Sequence, residues 1–235
     1  MDLIKVNGIV VKSSDYKDND KLVTLVTFEL GKITCLARGV KKPNAKLKYA
    51  QEMFNFGEFM LAKKRDSYTL TDCVQTDSFS PITKDIEMYY CGCMMMDILS
   101  RIASYESQKT MLAQTIRMLS KLCYDEIVPE KVTTEFLKEC LKQNGYDIDY
   151  KYCSVCGMDL VETAYFSDSA GLICSACANK QTDLPVNINI LKYLQSGEGS
   201  VEIAKVSNSY LAYFLEELVG IKANPMYFGS INYGE

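Results

Sequence analysis

Short runs of alternating apolar and polar residues occupy positions 3–12, 21–29, 33–40, 54–63 and 68–75, and they are rich in Val, Ile, Thr, Phe and Tyr. Side chains with a period of two project to opposite faces of an extended backbone, so each run predicts a strand with one buried face. Polar or glycine-containing turns separate the runs. Glu29-Leu30-Gly31-Lys32 joins the second to the third, and Lys64-Arg65-Asp66-Ser67 joins the fourth to the fifth. Five strands in so short a stretch predict a small closed barrel of the OB type, and a small SH3-like barrel shares that pattern.

From Pro81 the apolar period lengthens to about 3.6 residues, which marks a change of element type near residues 79–83. Residues 86–123 predict two helices with a break around Ser104 to Ser107, and Leu112, Thr115, Leu119 and Leu122 line one face of the second. A third helix starts with Pro129 in its first turn and ends before Gly145, with Val132, Phe136, Leu137, Cys140 and Leu141 as its apolar positions. Leu211, Phe214, Leu215, Leu218 and Val219 form another such stripe near the C-terminus. All of these stripes predict bundle core. The Met94-Met95-Met96 run fits either core or an adaptable peptide groove, because thioether side chains repack easily.

The fold expected is therefore α+β, with an OB-fold barrel over residues 1–80 followed by an α-helical domain over 81–235. At 235 residues and 48% hydrophobic content, two such domains have enough apolar surface for separate cores. The N-terminal twenty residues lack the uninterrupted apolar stretch of a signal peptide, and the apolar segment at 88–99 is too short for a bilayer and contains Asp97. A cytoplasmic location without membrane contact is expected.

The chain has ten cysteines and no histidine. Lack of histidine removes Ser-His-Asp and Cys-His catalysis, HExxH metalloproteases and the His-ligated zinc deaminases. Gly31-Lys32 is followed by Ile33 and is no phosphate loop, while Gly197-x-Gly199 lacks the third glycine of a dinucleotide fingerprint. No enzyme and no small-molecule substrate are expected.

Four of the cysteines form two pairs, Cys153-Ser-Val-Cys156 and Cys174-Ser-Ala-Cys177, separated by seventeen residues. Two intervening residues allow both thiolates of a tight turn to face one ion, and two such turns complete a tetrahedral shell. Gly157 suits the turn, and residues 165–173 read as strand, turn and strand that bring the two knuckles together. One structural Zn2+ in a ribbon-like hairpin at 150–180 is predicted, closed to substrate by its four sulfurs. Redox dithiols, disulfides and unrelated cysteines are the competing readings; a reducing compartment and the absent βαβ setting count against the first two. Cys35, Cys73, Cys91, Cys93, Cys123 and Cys140 read as small buried apolar residues.

The net charge of −4 is uneven: residues 1–80 hold 13 basic and 10 acidic side chains, and the remainder 13 and 20. Arg38, Lys41, Lys42, Lys46 and Lys48 fall within eleven residues that contain no acid. An exposed loop with this charge neutralises phosphates without reading sequence, and Tyr16 or Tyr49 offers a stacking surface for bases; a merely solvated loop has the same composition.

Gly8-Ile-Val-Val-Lys12, Asp15-Tyr16, Asp20 to Leu25, Glu29 to Lys32 and Ala37-Arg38-Gly39-Val40-Lys41-Lys42-Pro43 together resemble the N-terminal signature of the RecO family. The helical length, the cysteine quartet and a closing helix-and-tail segment from Tyr210 to Phe228 extend the resemblance over the chain. The C-terminal LAYFLEELVG segment lacks a histidine that many members have there. The resemblance implies a nucleoid-associated repair and recombination mediator that binds single- and double-stranded DNA and anneals complementary strands. It implies RecR as a partner, RecA loading onto strands covered by single-strand binding protein (SSB), and binding of the SSB C-terminal tail. By position Arg38, Lys41 and Lys42 match the family's basic motif, and charge and proximity add Lys46, Lys48 and Lys21. The alternative is a zinc-ribbon adaptor that engages protein without direct DNA binding.

Overall fold

The computed structural model describes residues 2–102, 105–161, 163–222 and 224–227. Two compact units divide the chain, Met1–Asp125 and Glu126–Glu235.

In the first unit, β1 (Asp2–Tyr16), β2 (Asp20–Thr27), β3 (Gly31–Ala37), β4 (Phe56–Lys64) and β5 (Ser67–Asp77) close a barrel in the order β1-β2-β3-β5-β4. This is the expected OB-fold. Strand β1 is long enough to serve two neighbours, pairing its first half with β4 and its second with β2, while a parallel β3–β5 contact closes the cylinder. Inward positions of the alternating runs, among them Val6, Val10, Val23, Leu25, Phe59 and Leu61, are fully buried.

Glycine is required where β1 passes between its two partners. Gly8 and Gly57 face each other in register, and a Cβ built on Gly57 would lie 2.2 Å from the Val74 carbonyl oxygen, while one on Gly8 would lie 2.5 Å from that of Val26. Backbone atoms on neighbouring strands cannot move aside singly. Gly57→Ala is therefore expected to destabilise the barrel by about 2–3 kcal/mol, read as a lower urea midpoint with an unchanged m-value.

Helices α1 (Ile86–Arg101) and α2 (Tyr105–Tyr124) complete this unit. The Asp85 side chain accepts from the Met88 amide and starts α1. Of the predicted break, Ser104 lies outside the described residues; Ile102 is extended and α2 begins at Tyr105. Leu112, Thr115, Leu119 and Leu122 are buried as the period predicts. Met94, Met95 and Met96 are at most 1% exposed, so the run is core rather than groove. No described helix is long and apolar enough to cross a membrane.

The second unit comprises α3 (Pro129–Gln143), a three-stranded sheet of β6 (Thr163–Ser167), β7 (Gly171–Cys174) and β8 (Leu184–Asn187), α4 (Ile188–Ser196) and α5 (Val201–Val219). Helices α3 and α5 pack against each other, and Val132, Phe136, Leu137, Leu211, Phe214 and Leu215 are buried, whereas Leu218 and Val219 are only half-buried. A polar network crosses this interface. The Thr134 hydroxyl donates to Asn208 Oδ1 at 2.7 Å and lies 2.9 Å from the Tyr193 hydroxyl, and Asn208 Nδ2 donates to the Glu130 carbonyl at 2.9 Å. Gly197, at φ +73°, caps the C-terminus of α4. Phe228, at the end of the predicted tail, lies outside the described residues.

Candidate metal centre and nucleic-acid interface

The sheet of the second unit is what brings the cysteine pairs together. Strands β6 and β7 form the expected hairpin, with Ala164 opposite Cys174 and a turn at Gly171, φ +76°. The Ser154 amide donates to the Leu172 carbonyl at 3.0 Å, which fastens the first knuckle to β7. Within that knuckle the Cys153 amide donates to the Met158 carbonyl and Gly157, at φ +74°, closes the turn by donating to Cys153. In the second knuckle, the Cys177 and Ala178 amides donate to the Cys174 carbonyl.

The Sγ atoms of Cys153, Cys156, Cys174 and Cys177 all lie within 4.8 Å of one another, and Cys156 and Cys174 are 3.7 Å apart. A tetrahedral thiolate site with metal–sulfur bonds of about 2.3 Å requires sulfurs about 3.8 Å apart, so these four can hold one metal ion. The electrostatics also suit a cation. Burial opposes ionisation of Cys153, but the amides of Cys156, Cys174 and Val155 outweigh it and draw that thiol down to about 6. Cys174 is drawn down chiefly by the Cys177 amide, while Cys177, donating to the sulfurs of Cys156 and Cys174, is pushed up to about 12. Four thiolates at this spacing repel one another, and a cation among them offsets that repulsion.

The remaining cysteines have a different environment. Burial pushes Cys35 up to about 12 and Cys73 and Cys123 up to about 11. Cys35, Cys73, Cys91 and Cys140 are buried as expected, but Cys93 and Cys123 are only partly so.

In the first unit, the basic segment leaves β3 as successive turns that lead into a 3₁₀ turn at Tyr49–Gln51. Arg38, Lys41, Lys42, Lys46 and Lys48 are exposed. The segment is pinned to the β1–β2 turn: the Gly39 amide donates to Asp20 Oδ1 at 2.8 Å and the Lys41 amide to the Asn19 carbonyl at 3.2 Å. Folding thereby supplies an acid that the segment's own sequence lacks. Asp15 receives Lys41 Nζ at 3.0 Å and Lys21 Nζ at 3.8 Å. The Lys41 hydrogen bond holds the Asp15 carboxyl below the usual carboxylate range, and Lys21 adds to the effect. Asp15 sits opposite Lys21 in the β1–β2 register, so correct hairpin pairing was the signal that would have found it.

The two aromatic residues differ in availability. Tyr49 is partly buried against the barrel core and its hydroxyl donates to the Cys73 carbonyl, so it does not stand free for stacking. Tyr16 is 39% exposed with the Lys17 ammonium 5.3 Å from its ring centroid.

Two family models match the chain: Recombination protein O N terminal over residues 1–79, and Recombination protein O C terminal over residues 83–219. Among similar proteins, each named DNA repair protein RecO, that of Clostridium perfringens is 30% identical over 203 residues, covering 83% of this chain and 81% of its own length. That of Clostridium novyi is 28% identical over 179 residues, covering 75% and 70%, and that of Alkaliphilus metalliredigens is 24% identical over 236 residues, covering 98% and 89%. An OB-fold barrel, a helical C-terminal portion with its four-cysteine hairpin, and family matches over nearly the whole length place this chain in the RecO family.

Proposed function

We propose that this chain is a non-enzymatic DNA repair and recombination mediator that binds single- and double-stranded DNA through its barrel and anneals complementary strands. With RecR it promotes RecA loading onto SSB-coated single strands and binds the SSB C-terminal tail, and it works in the cytoplasm at the nucleoid. The observation that supports this reading is the set of exposed cations at Arg38, Lys42, Lys46 and Lys48 on the surface of a closed OB barrel, with Lys41 and Lys21 beside them. Backbone phosphates need only charge and position, and pairing of the product duplex supplies the driving force for annealing.

The ion in the cysteine cluster is proposed to be zinc, in a structural role. Four thiolates select a soft, tetrahedral ion and leave no position for substrate.

The test is annealing of complementary oligonucleotides, naked and SSB-coated, with nucleotide hydrolysis followed in parallel. Faster annealing without hydrolysis is expected, with salt-sensitive retention on single strands. A protein that neither retains nor anneals strands is a protein-binding adaptor instead.

A further inference from the structure

A cleft of about 360 Å³ opens in the first unit where the Tyr49–Gln51 turn, residues 52–55 and β1 meet the segment leading into α1. We propose that this cleft takes one base of a bound single strand and selects bases with an exocyclic amino group. The inference rests on the DNA-binding reading and adds base selectivity to it.

Three features of the cleft point to a ligand. Ser13 Oγ, Gln51 Oε1 and Asn55 Oδ1 are buried without a hydrogen-bond partner, and all three residues line it. They are three of five such side-chain atoms among the described residues. Gln51 is 9% and Asn55 1% exposed, and no described protein group supplies the missing partners. Phe54, between them in sequence, sits at φ +72°, a conformation phenylalanine rarely adopts, and its amide donates a hydrogen bond to the Val10 carbonyl at 3.1 Å. The third feature is continuity with the basic segment: Lys48 leads directly into the Tyr49–Gln51 turn, and Lys21 is itself part of the lining. A strand whose phosphates follow residues 38–48 passes the mouth.

The donor and acceptor balance sets the preference. The unpaired amide oxygens of Gln51 and Asn55 only accept, Glu52 at the wall accepts when ionised, and the Ser13 hydroxyl turns to either role, so acceptors outnumber donors among these groups. Cytosine and adenine present an amino group to such a wall, whereas thymine presents a carbonyl oxygen at the corresponding position. Small turns of the terminal amide torsions, which are broad and two-fold, bring the oxygens to the base. Tyr89, 38% exposed and edge-on to Phe54 at 6.0 Å, gives the cleft an aromatic side.

The experiment is fluorescence anisotropy of the full chain with oligodeoxycytidylate and oligothymidylate of equal length, titrated across salt. Oligodeoxycytidylate is expected to bind roughly three- to tenfold more tightly, and Gln51→Met to lower that ratio by about threefold while leaving the salt slope unchanged. Gln51→Met removes an unpaired buried oxygen at similar side-chain length, so its thermal midpoint should not fall. Equal affinities for the two strands, or a preference that Gln51→Met leaves unchanged, would overturn the inference and leave the cleft to an extended peptide, with DNA binding intact. Failure to retain either strand would instead remove the DNA-binding reading itself.

Discussion

Replacing Cys156 with serine is expected to release the metal and open both knuckles, the largest single-residue effect expected in this chain. Structural zinc in isolated finger peptides contributes roughly 10–16 kcal/mol of binding free energy, and that energy is available only to the folded site. Apart from the Ser154 hydrogen bonds to Leu172 and the buried Leu160, the first knuckle has little to hold it: Val155, Met158 and Val161 are 61–72% exposed and contribute little buried apolar area. Opening should stop where packing takes over. Phe166 on β6 stacks on Phe214 of α5 with ring centroids 4.0 Å apart, and the Thr134–Asn208–Tyr193 network fastens α3 to its neighbours independently of any metal. Hydrogen exchange should therefore show lost protection at residues 152–161 and 174–178 with α3 and α5 largely retained, alongside loss of one zinc per chain. A variant that keeps its zinc, or a parent without zinc whose four thiols all react freely, rules the site out.

The second large effect is expected in the basic segment. If Arg38, Lys41, Lys42, Lys46 and Lys48 each neutralise one phosphate of a single strand, log affinity should fall with log salt at a slope of about −3.5. Changing Lys41 and Lys42 to Ala should make that slope shallower by about 1.4 and weaken binding to a similar degree on different sequences. Asp15 adds a finer expectation. A phosphate bound by Lys41 and Lys21 would have to displace it, and its depressed pKa keeps it ionised well below neutrality, so pH near 7 does not free the lysines. Asp15→Asn does free them and should tighten binding at low salt. Lys138 and Lys142 to Ala provide the control, with the slope expected to stay constant; Lys138 donates to the Leu194 carbonyl, so the fold of that variant must be checked. An unchanged slope in the Lys41/Lys42 variant would move the DNA path away from this loop.

What could be read in the sequence was whatever depended on near neighbours along the chain. The five strands announced themselves because a half-buried strand must alternate, and the four-cysteine cluster because each knuckle is built within a few residues. Asp15 was not legible as a partner of Lys41, since twenty-six positions separate them and only strand pairing joins them. Tyr49 looked available for stacking because nothing local reveals that its hydroxyl reaches the Cys73 carbonyl. Strand β8 and helix α4 were missed for a different reason. Leu184–Asn187 has four residues including a proline, a composition that argues against a strand unless it lies on an edge, and here it pairs with β6 alone. The two glycines at 197 and 199, weighed as a nucleotide fingerprint, instead end α4 and enter α5.

The two-sided pairing of β1 has a consequence for how the molecule assembles in time. Asp2 finds its partner at Lys63, and the cylinder closes only when β5, ending at Asp77, meets β3. Closing so long a segment costs chain entropy before any contact rewards it, and a topology of distant pairings folds slowly. The cysteine knuckles span only residues 153–177, a far shorter loop, and can form as soon as that stretch is synthesised and an ion is at hand. On a growing chain the barrel begins first and has the longer wait before its edges are covered, so exposure to misassociation is concentrated in the first seventy-seven residues.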